Sequence, residues 1–209
     1  MSDFTEHLYT SQDGLRLYYR VYGSSQLSSI PVLCLPGFTR NSADFHLLAL
    51  RLSSSRQVIC PDYRGRGRSD YDRQTKNYQP SVYLEDIRHL LTVTGTSRAV
   101  IIGTSMGGLL AMGLGVTSPN LLEGVILNDI GPTVSGGLHD ILEYAGTDHT
   151  VADWENAANE FSRIHPNTVF QTDNDRKRAI RATWTKKSDG MLHVDWDTRI
   201  VLPLLNGTV

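Results

Sequence analysis

An apolar run, Ala99 to Ile102, leads without a break into G-T-S-M-G at Gly103 to Gly107, and a small-residue helical stretch, Leu109 to Val116, follows at once. No other part of the chain constrains the fold as much. A five-residue pattern recurs by chance, so the pentapeptide alone is weak; the strand before it and the helix after it make it specific. A serine on so sharp a strand-to-helix turn is held at positive φ, which residues with side chains seldom adopt. Side chains two positions before and after it would collide there, which accounts for Gly103 and Gly107. The turn pushes the Ser105 hydroxyl out above the carboxyl end of the sheet. The Met106 amide points into the same space from a helix N-terminus, where negative charge is favoured.

The residues around this junction repeat its logic. His7 to Thr10 and Leu15 to Tyr22 are short β-rich runs joined by Q-D-G, a hairpin signal. Pro31 to Leu35, Gln57 to Cys60, Ala99 to Ile102 and Val125 to Leu127 are continuous apolar runs, which suit strands buried on both faces. Between them lie helical patterns. One is capped by Asn41, has Asp44 three residues on, and aligns Phe45, Leu48 and Leu52; the other begins near Pro80 and aligns Tyr83, Ile87, Leu90 and Leu91. Strand and helix in alternation predict an α/β fold: a mainly parallel, doubly wound sheet with an antiparallel hairpin at its N-terminal edge.

From Thr133 the character changes. Thr150 is placed to cap a helix with Val151, Trp154, Ala158, Phe161 and Ile164 on one face, and Asp175 to Lys187 reads as another with Ile180 and Trp184 inward. This predicts a core over residues 1–131 and a helical cap or lid over 132–209. The three tryptophans, Trp154, Trp184 and Trp196, all lie in that cap, where packing is the ordinary role and lining an acyl pocket the functional one. The serine-rich stretches Ser24-Ser25, Ser28-Ser29 and Ser53 to Ser55 read as loops.

The bulk numbers exclude some classes. A net charge of −2 gives no electrostatic reason to expect nucleic acid or an anionic membrane as partner. The start, M-S-D-F-T-E-H, has no basic region followed by an apolar one, so no signal peptide is expected, no stretch is long enough to span a bilayer, and the cytoplasm is the expected compartment. The two cysteines, Cys34 and Cys60, sit in apolar runs and read as reduced core thiols; no metal-ligand spacing occurs. Oligomeric state is not legible.

Four pieces, in order and on the expected elements, carry a resemblance: L-P-G-F at 35 to 38, P-D-Y-R-G-R-G-R-S-D at 61 to 70, G-T-S-M-G-G at 103 to 108 and L-N-D-I-G-P at 127 to 132. Together they resemble the α/β-hydrolase family, serine-nucleophile type, and within it the small bacterial carboxyl-ester, enol-lactone and carbon–carbon-bond hydrolases. The resemblance implies a sheet ordered 1-2-4-3-5-6-7-8, a cap after the sixth strand, and a Ser-His-acid triad with Ser105 as nucleophile. The oxyanion hole would use the backbone amides of Met106 and Phe38, with Gly37 permitting the tight turn before Phe38. A small ester, lactone or related acyl compound would be cleaved through an acyl-enzyme, with no cofactor and no metal.

The pattern then breaks. The family's acid and histidine usually follow its seventh and eighth strands, and no such strands are legible before L-P-L-L-N-G-T-V. The expectation is therefore that the C-terminal strands are absent, that the chain is an inactive fragment, and that its sixth strand is a bare, association-prone edge. Asp129, just past that strand, is the acid candidate within the chain; its structural reading is a residue fixing the N-D-I-G-P turn. His139 and His149 are the histidines placed to overhang the site, whereas His7, His46 and His89 read as surface or packing residues. Arg64, Arg66 and Arg68 alternate with glycine, either as an RNA-binding segment or, far better for a near-neutral chain, as a loop tethered to carboxylates such as Asp62 or Asp70. Two further readings remain: a non-catalytic ligand-binding member of the same fold, and a dinucleotide-binding oxidoreductase, for which P-G-F-T-R-N stands where a glycine fingerprint belongs.

Overall fold

The computed structural model describes residues 3–25, 29–131 and 137–207. The opening hairpin is β1 (Thr5–Thr10) and β2 (Arg16–Tyr22), paired antiparallel. Then come β3 (Val32–Leu35), α1 (His46–Leu52), β4 (Val58–Pro61), α2 (Pro80–Val93), β5 (Ala99–Thr104), α3 (Met106–Thr117) and β6 (Leu122–Asn128). They build one six-stranded sheet in the order β1-β2-β4-β3-β5-β6, parallel from β4 to β6.

The apolar runs are continuous because the central strands are covered on both faces. Along β3, Leu33 and Leu35 enter one core with Ile59, Ile101, Leu90 and Leu114, while Val32 and Cys34 enter the other with Val58, Cys60, Phe45 and Ala49. Each such fully buried Val, Leu, Ile or Phe side chain contributes about 1.5–3 kcal/mol of hydrophobic stabilisation before entropy is set against it. Both cysteines are free and buried, and burial pushes the Cys60 thiol up. Asn41 caps a short 3-10 turn (Ser42–Phe45) ahead of α1 by accepting from the Ala43 amide, but Asp44 does not complete a capping box; it pairs with Arg40.

The expectation of a buried strand over Val125 to Leu127 is corrected. β6 lies at the end of the sheet, with Val125, Ile126 and Leu127 all exposed, Ile126 at 54%. Its apolar composition suits coverage that no described residue supplies.

Beyond residue 137 the elements are α4 (Leu138–Gly146), α5 (Trp154–Ile164), α6 (Asp173–Thr183), β7 (Trp184–Lys186), β8 (Leu192–Val194) and the short α7 (Leu202–Leu205). The boundary expected between 131 and 132 adjoins residues 132–136, which lie outside the described residues, as does Ser28. Two helix expectations are corrected. Asp153, not Thr150, caps α5 by accepting from the Asn156 amide; Val151 instead pairs with Leu192 in an antiparallel bridge. The second helix ends at Thr183, not Lys187, because Trp184–Lys186 pairs with Leu192–Val194 as a hairpin. Trp184 and Thr185 are β-favouring residues, and the strand lets Trp184 bury while its indole N–H donates to the His149 carbonyl at 2.8 Å.

Candidate active site

Ser105 is one of two described non-glycine residues with positive φ, at φ 50° and ψ −116°; Asp129 is the other, at φ 55°. Three backbone bonds hold the strained serine. Its amide donates to the Asn128 carbonyl at 2.9 Å, and its carbonyl accepts from Gly108 at 2.9 Å and Leu109 at 3.2 Å. The flanking glycines are required by contact. A Cβ on Gly103 would lie 2.4 Å from the Gly107 carbonyl oxygen, and one on Gly107 would lie 2.1 Å from that of Leu35. Strand β3, strand β5 and helix α3 thus meet at van der Waals limits, and the serine is thrown out at their junction.

The loop after β3 reaches this point. A Cβ built on Gly37 would stand 3.8 Å from the Ser105 Cβ and 3.4 Å from the Arg40 Cγ. Gly37 accepts from the Arg40 amide at 3.1 Å, closing the turn, yet its φ is not left-handed, and a Cβ there would make only ordinary contact with Arg40 and Ser105. The Phe38 amide donates to no protein acceptor among the described residues. Met106 is the first residue of α3, so its amide has no intrahelical partner either. Ser105 itself is half-buried.

The remaining nominees make no hydrogen bond to Ser105 among the described residues. Asp129 is exposed and makes no hydrogen bond or ion pair among the described residues. None of the seven histidines bonds to Ser105. His139 is exposed; His149 bonds Glu160 at 2.9 Å and the Tyr144 carbonyl; His193 bonds Asp189 and Thr150. His46 bonds Tyr22, His89 the Thr10 carbonyl, and His7 bonds Thr5 and stacks on Tyr19. His165 packs on Phe161, and burial, reinforced by Arg40, lowers its pKa. Trp184 and Trp196 are buried packing residues; Trp154 lies under the Arg181 guanidinium.

The arginine–glycine loop is a tether, although its carboxylate partners differ from those expected. Arg64 is 1% exposed and bonds Asp13, Asp72 and Asp86. Arg68 pairs with Glu6. Asp70 takes Arg16 instead, and Asp62 accepts the Ser42 and Arg68 amides while burial raises its pKa. Arg66 meets no carboxylate and bonds the Phe38 carbonyl at 2.9 Å.

Sequence reasoning missed a seam of residues joining this loop to the later segment. Arg40 donates to Asp44 twice and to the Thr183 hydroxyl at 2.7 Å; burial works against its charge, and Asp44 outweighs it. Asn41 donates to the Ala182 carbonyl and the Asp195 carboxylate. Burial, then Asp62, raises Asp195 to about 7. The available signal was Arg40, a charged side chain beside the capping Asn41, in a turn whose closure uses only its backbone amide.

Residues 32–206 match the Alpha/beta hydrolase family. The chain belongs to that family. Within it, an alpha/beta hydrolase from Novosphingobium aromaticivorans is 40% identical, with a TM-score of 0.88 over 96% of this chain and 70% of its own. The E-2-(acetamidomethylene)succinate hydrolase structure shares the fold at 22% identity and TM-score 0.81, covering 98% of this chain and 73% of its own. The 3-hydroxybutyrate-oligomer hydrolase of Cupriavidus necator is 32% identical over 120 residues, which are 57% of this chain and 41% of that protein. The chain spans less than half the length of the curated relatives it matches first. The sheet order of this family member follows the family's first six strands, hairpin included.

Among the described residues no group of three or more His, Cys, Asp or Glu side chains is placed to hold a metal ion, and no helix is long and apolar enough to cross a membrane.

Proposed function

We propose that this chain carries the nucleophile and oxyanion hole of a serine hydrolase acting on a small carboxylic ester, lactone or related acyl compound. The observation that carries the reading is the left-handed backbone of Ser105 between two glycines that admit no side chain. Such strain persists only where surrounding structure enforces it, and it clusters at reacting residues. In the reaction the Ser105 Oγ attacks the acyl carbonyl carbon, and its proton passes to a base. The tetrahedral oxyanion is held by the Phe38 and Met106 amides, the alcohol leaves with a proton, and water then frees the acid from the acyl-enzyme. The chemistry calls for no cofactor and no metal. A 3-hydroxybutyrate oligomer, the substrate named for one relative, is itself a chain of ester links, which favours the ester class. Asp129, next to the Asn128 carbonyl that holds Ser105, is the acid candidate within the chain. Residues 132–209 form the lid in this reading, the partner is a small-molecule acyl substrate rather than nucleic acid or membrane, and the compartment is the cytoplasm.

One observation favours a second reading. No described histidine or carboxylate bonds the Ser105 hydroxyl, and a free hydroxyl is a weak nucleophile near neutral pH. The pocket would then bind a ligand without turning it over. A fluorophosphonate probe separates the two: covalent labelling abolished by Ser105→Ala is the enzyme's result, and complete failure of the wild-type protein to label is the binding module's.

A further inference from the structure

The R-G-R-G-R loop holds a second buried arginine with no structural account so far. Arg66 is 0% exposed, yet no carboxylate neutralises it. Its Nε donates to the Phe38 carbonyl at 2.9 Å, and its Nη1 donates to the Arg64 carbonyl at 2.9 Å and the Tyr83 hydroxyl at 2.7 Å. Its Nη2 is buried with no hydrogen-bond partner among the described residues. The guanidinium lies 5.3 Å from the Phe38 ring centroid and 5.0 Å from that of Tyr83. Arg64, two residues earlier, satisfies its charge with three aspartates, so a carboxylate solution was open to this loop and Arg66 does not use it.

We infer that Arg66 is the positioning residue of the oxyanion loop: it grips Phe38 by carbonyl and ring together and so aims the Phe38 amide at the space over Ser105. An orphaned buried N–H costs stability and is rare, so a guanidinium that leaves one is poorly explained by stability alone. The grip is bipartite for a geometric reason. The carbonyl bond fixes the peptide on the C-terminal side of Phe38, the cation–π contact fixes its side chain, and the Arg40-to-Gly37 bond closes the turn. With those three held, the amide on the N-terminal side has one direction left. The loop carrying Arg66 is itself pinned, since Gly67 donates to the Asp195 carbonyl and Asp197 to the Gly65 carbonyl, each at 2.8 Å. Arg66 touches no reacting atom, and the inference rests on the serine-hydrolase reading for its catalytic consequence only.

The test compares Arg66→Lys, which keeps the charge but not the planar fork, and Tyr83→Phe, which removes one distant partner and leaves Phe38 untouched. The first readout is the 15N order parameter of the Phe38 amide. We expect it to fall from the rigid range near ~0.85 to below ~0.6 in Arg66→Lys, and to fall less in Tyr83→Phe, with the amides of β5 unchanged in both. The second is fluorophosphonate labelling of Ser105, expected to slow at least ~10-fold in Arg66→Lys through the rate at saturation rather than through probe affinity. A rigid Phe38 amide in both variants, or unchanged labelling beside a mobile one, overturns the inference. If the wild-type protein never labels, the nucleophile reading falls, and the order parameter still decides by itself whether Arg66 holds Phe38.

Discussion

The sheet through residue 128 and the segment from 137 onward share one apolar core but differ in the hydrogen bonds that complete it. In the sheet, β3, β4 and β5 are fixed by parallel ladders and by apolar cores on both faces. The later segment shares the Leu33–Leu35 core through Ile180, Trp184, Trp196 and Val201, and single polar bonds add to it: Tyr78 to Asp197 at 2.6 Å and Arg40 to Thr183 at 2.7 Å across the seam, and the Trp196 indole to the Ala145 carbonyl at 2.9 Å within the segment. A ladder shares its load over many equivalent bonds, whereas each seam bond is unique and its loss leaves a buried group unpaired. The difference teaches why the candidate nucleophile sits on the sheet side. A left-handed serine needs a frame that does not yield, and only the β3–β5–α3 junction supplies one.

Four changes sharpen or break that comparison. The largest effect is expected from Gly107→Ala. Its Cβ would meet the Leu35 carbonyl at 2.1 Å, so the junction must open, at a cost of about 3 kcal/mol or more; denaturant unfolding reads it, and a loss under 1 kcal/mol would show the frame to be softer than claimed. Next is Trp196→Phe, which keeps an aromatic ring but leaves the Ala145 carbonyl without its donor. About 1–3 kcal/mol is expected, and hydrogen exchange should locate the loss in residues 138–205 while β3 and β5 keep their protection. Equal loosening of the sheet would erase the distinction between the halves.

The third change is Asp195→Asn. In the folded protein Asp195 keeps its proton up to about 7, against an ordinary 3.8. The folded state thus binds the proton more tightly than the unfolded one, and this contribution to stability is full below 3.8 and lost as pH rises toward 7. An asparagine still accepts from Asn41 but cannot ionise. The variant should match wild type near pH 4 and exceed it by about 1–2 kcal/mol at pH 8, a figure reduced for partial access to water; urea midpoints at both pH values check the sign. Smallest in stability, and largest in behaviour, is Ile126→Lys on the exposed β6 edge. A charge on an edge strand blocks edge-to-edge pairing. Unfolding free energy should move within about 0.5 kcal/mol, while sedimentation velocity should show less association than in wild type.

Legibility followed the same division. Leu33 with Leu35, Ile59 and Ile101 declare buried strands because a two-faced core demands an unbroken apolar run, and the glycines around Ser105 declare the turn because no other residue fits it. The Thr183–Trp184 transition was illegible. Helical spacing continues through Lys187, and only pairing with Leu192–Val194, a contact between segments, ends the helix at Thr183. The exposure of Val125 to Leu127 divided the reading: the apolar composition suits a buried strand, whereas the lack of legible later strands marks β6 as a bare edge, and the second expectation holds. At the candidate site, the strained turn at Ser105 and its flanking glycines were readable from local backbone requirements. Arg40, Asn41 and Arg66 were not, because each acts through a partner far along the chain.

By itself, then, the sequence determined the order of strands and helices through β6, the strained serine and the two glycines that permit it, since these depend on volume and backbone angle within a few residues. Only the tertiary structure decided which arginine bonds which oxygen and where Asp195 is enclosed. Those are outcomes of packing between distant segments, and a buried charge or amide has no fixed partner until the fold has chosen one.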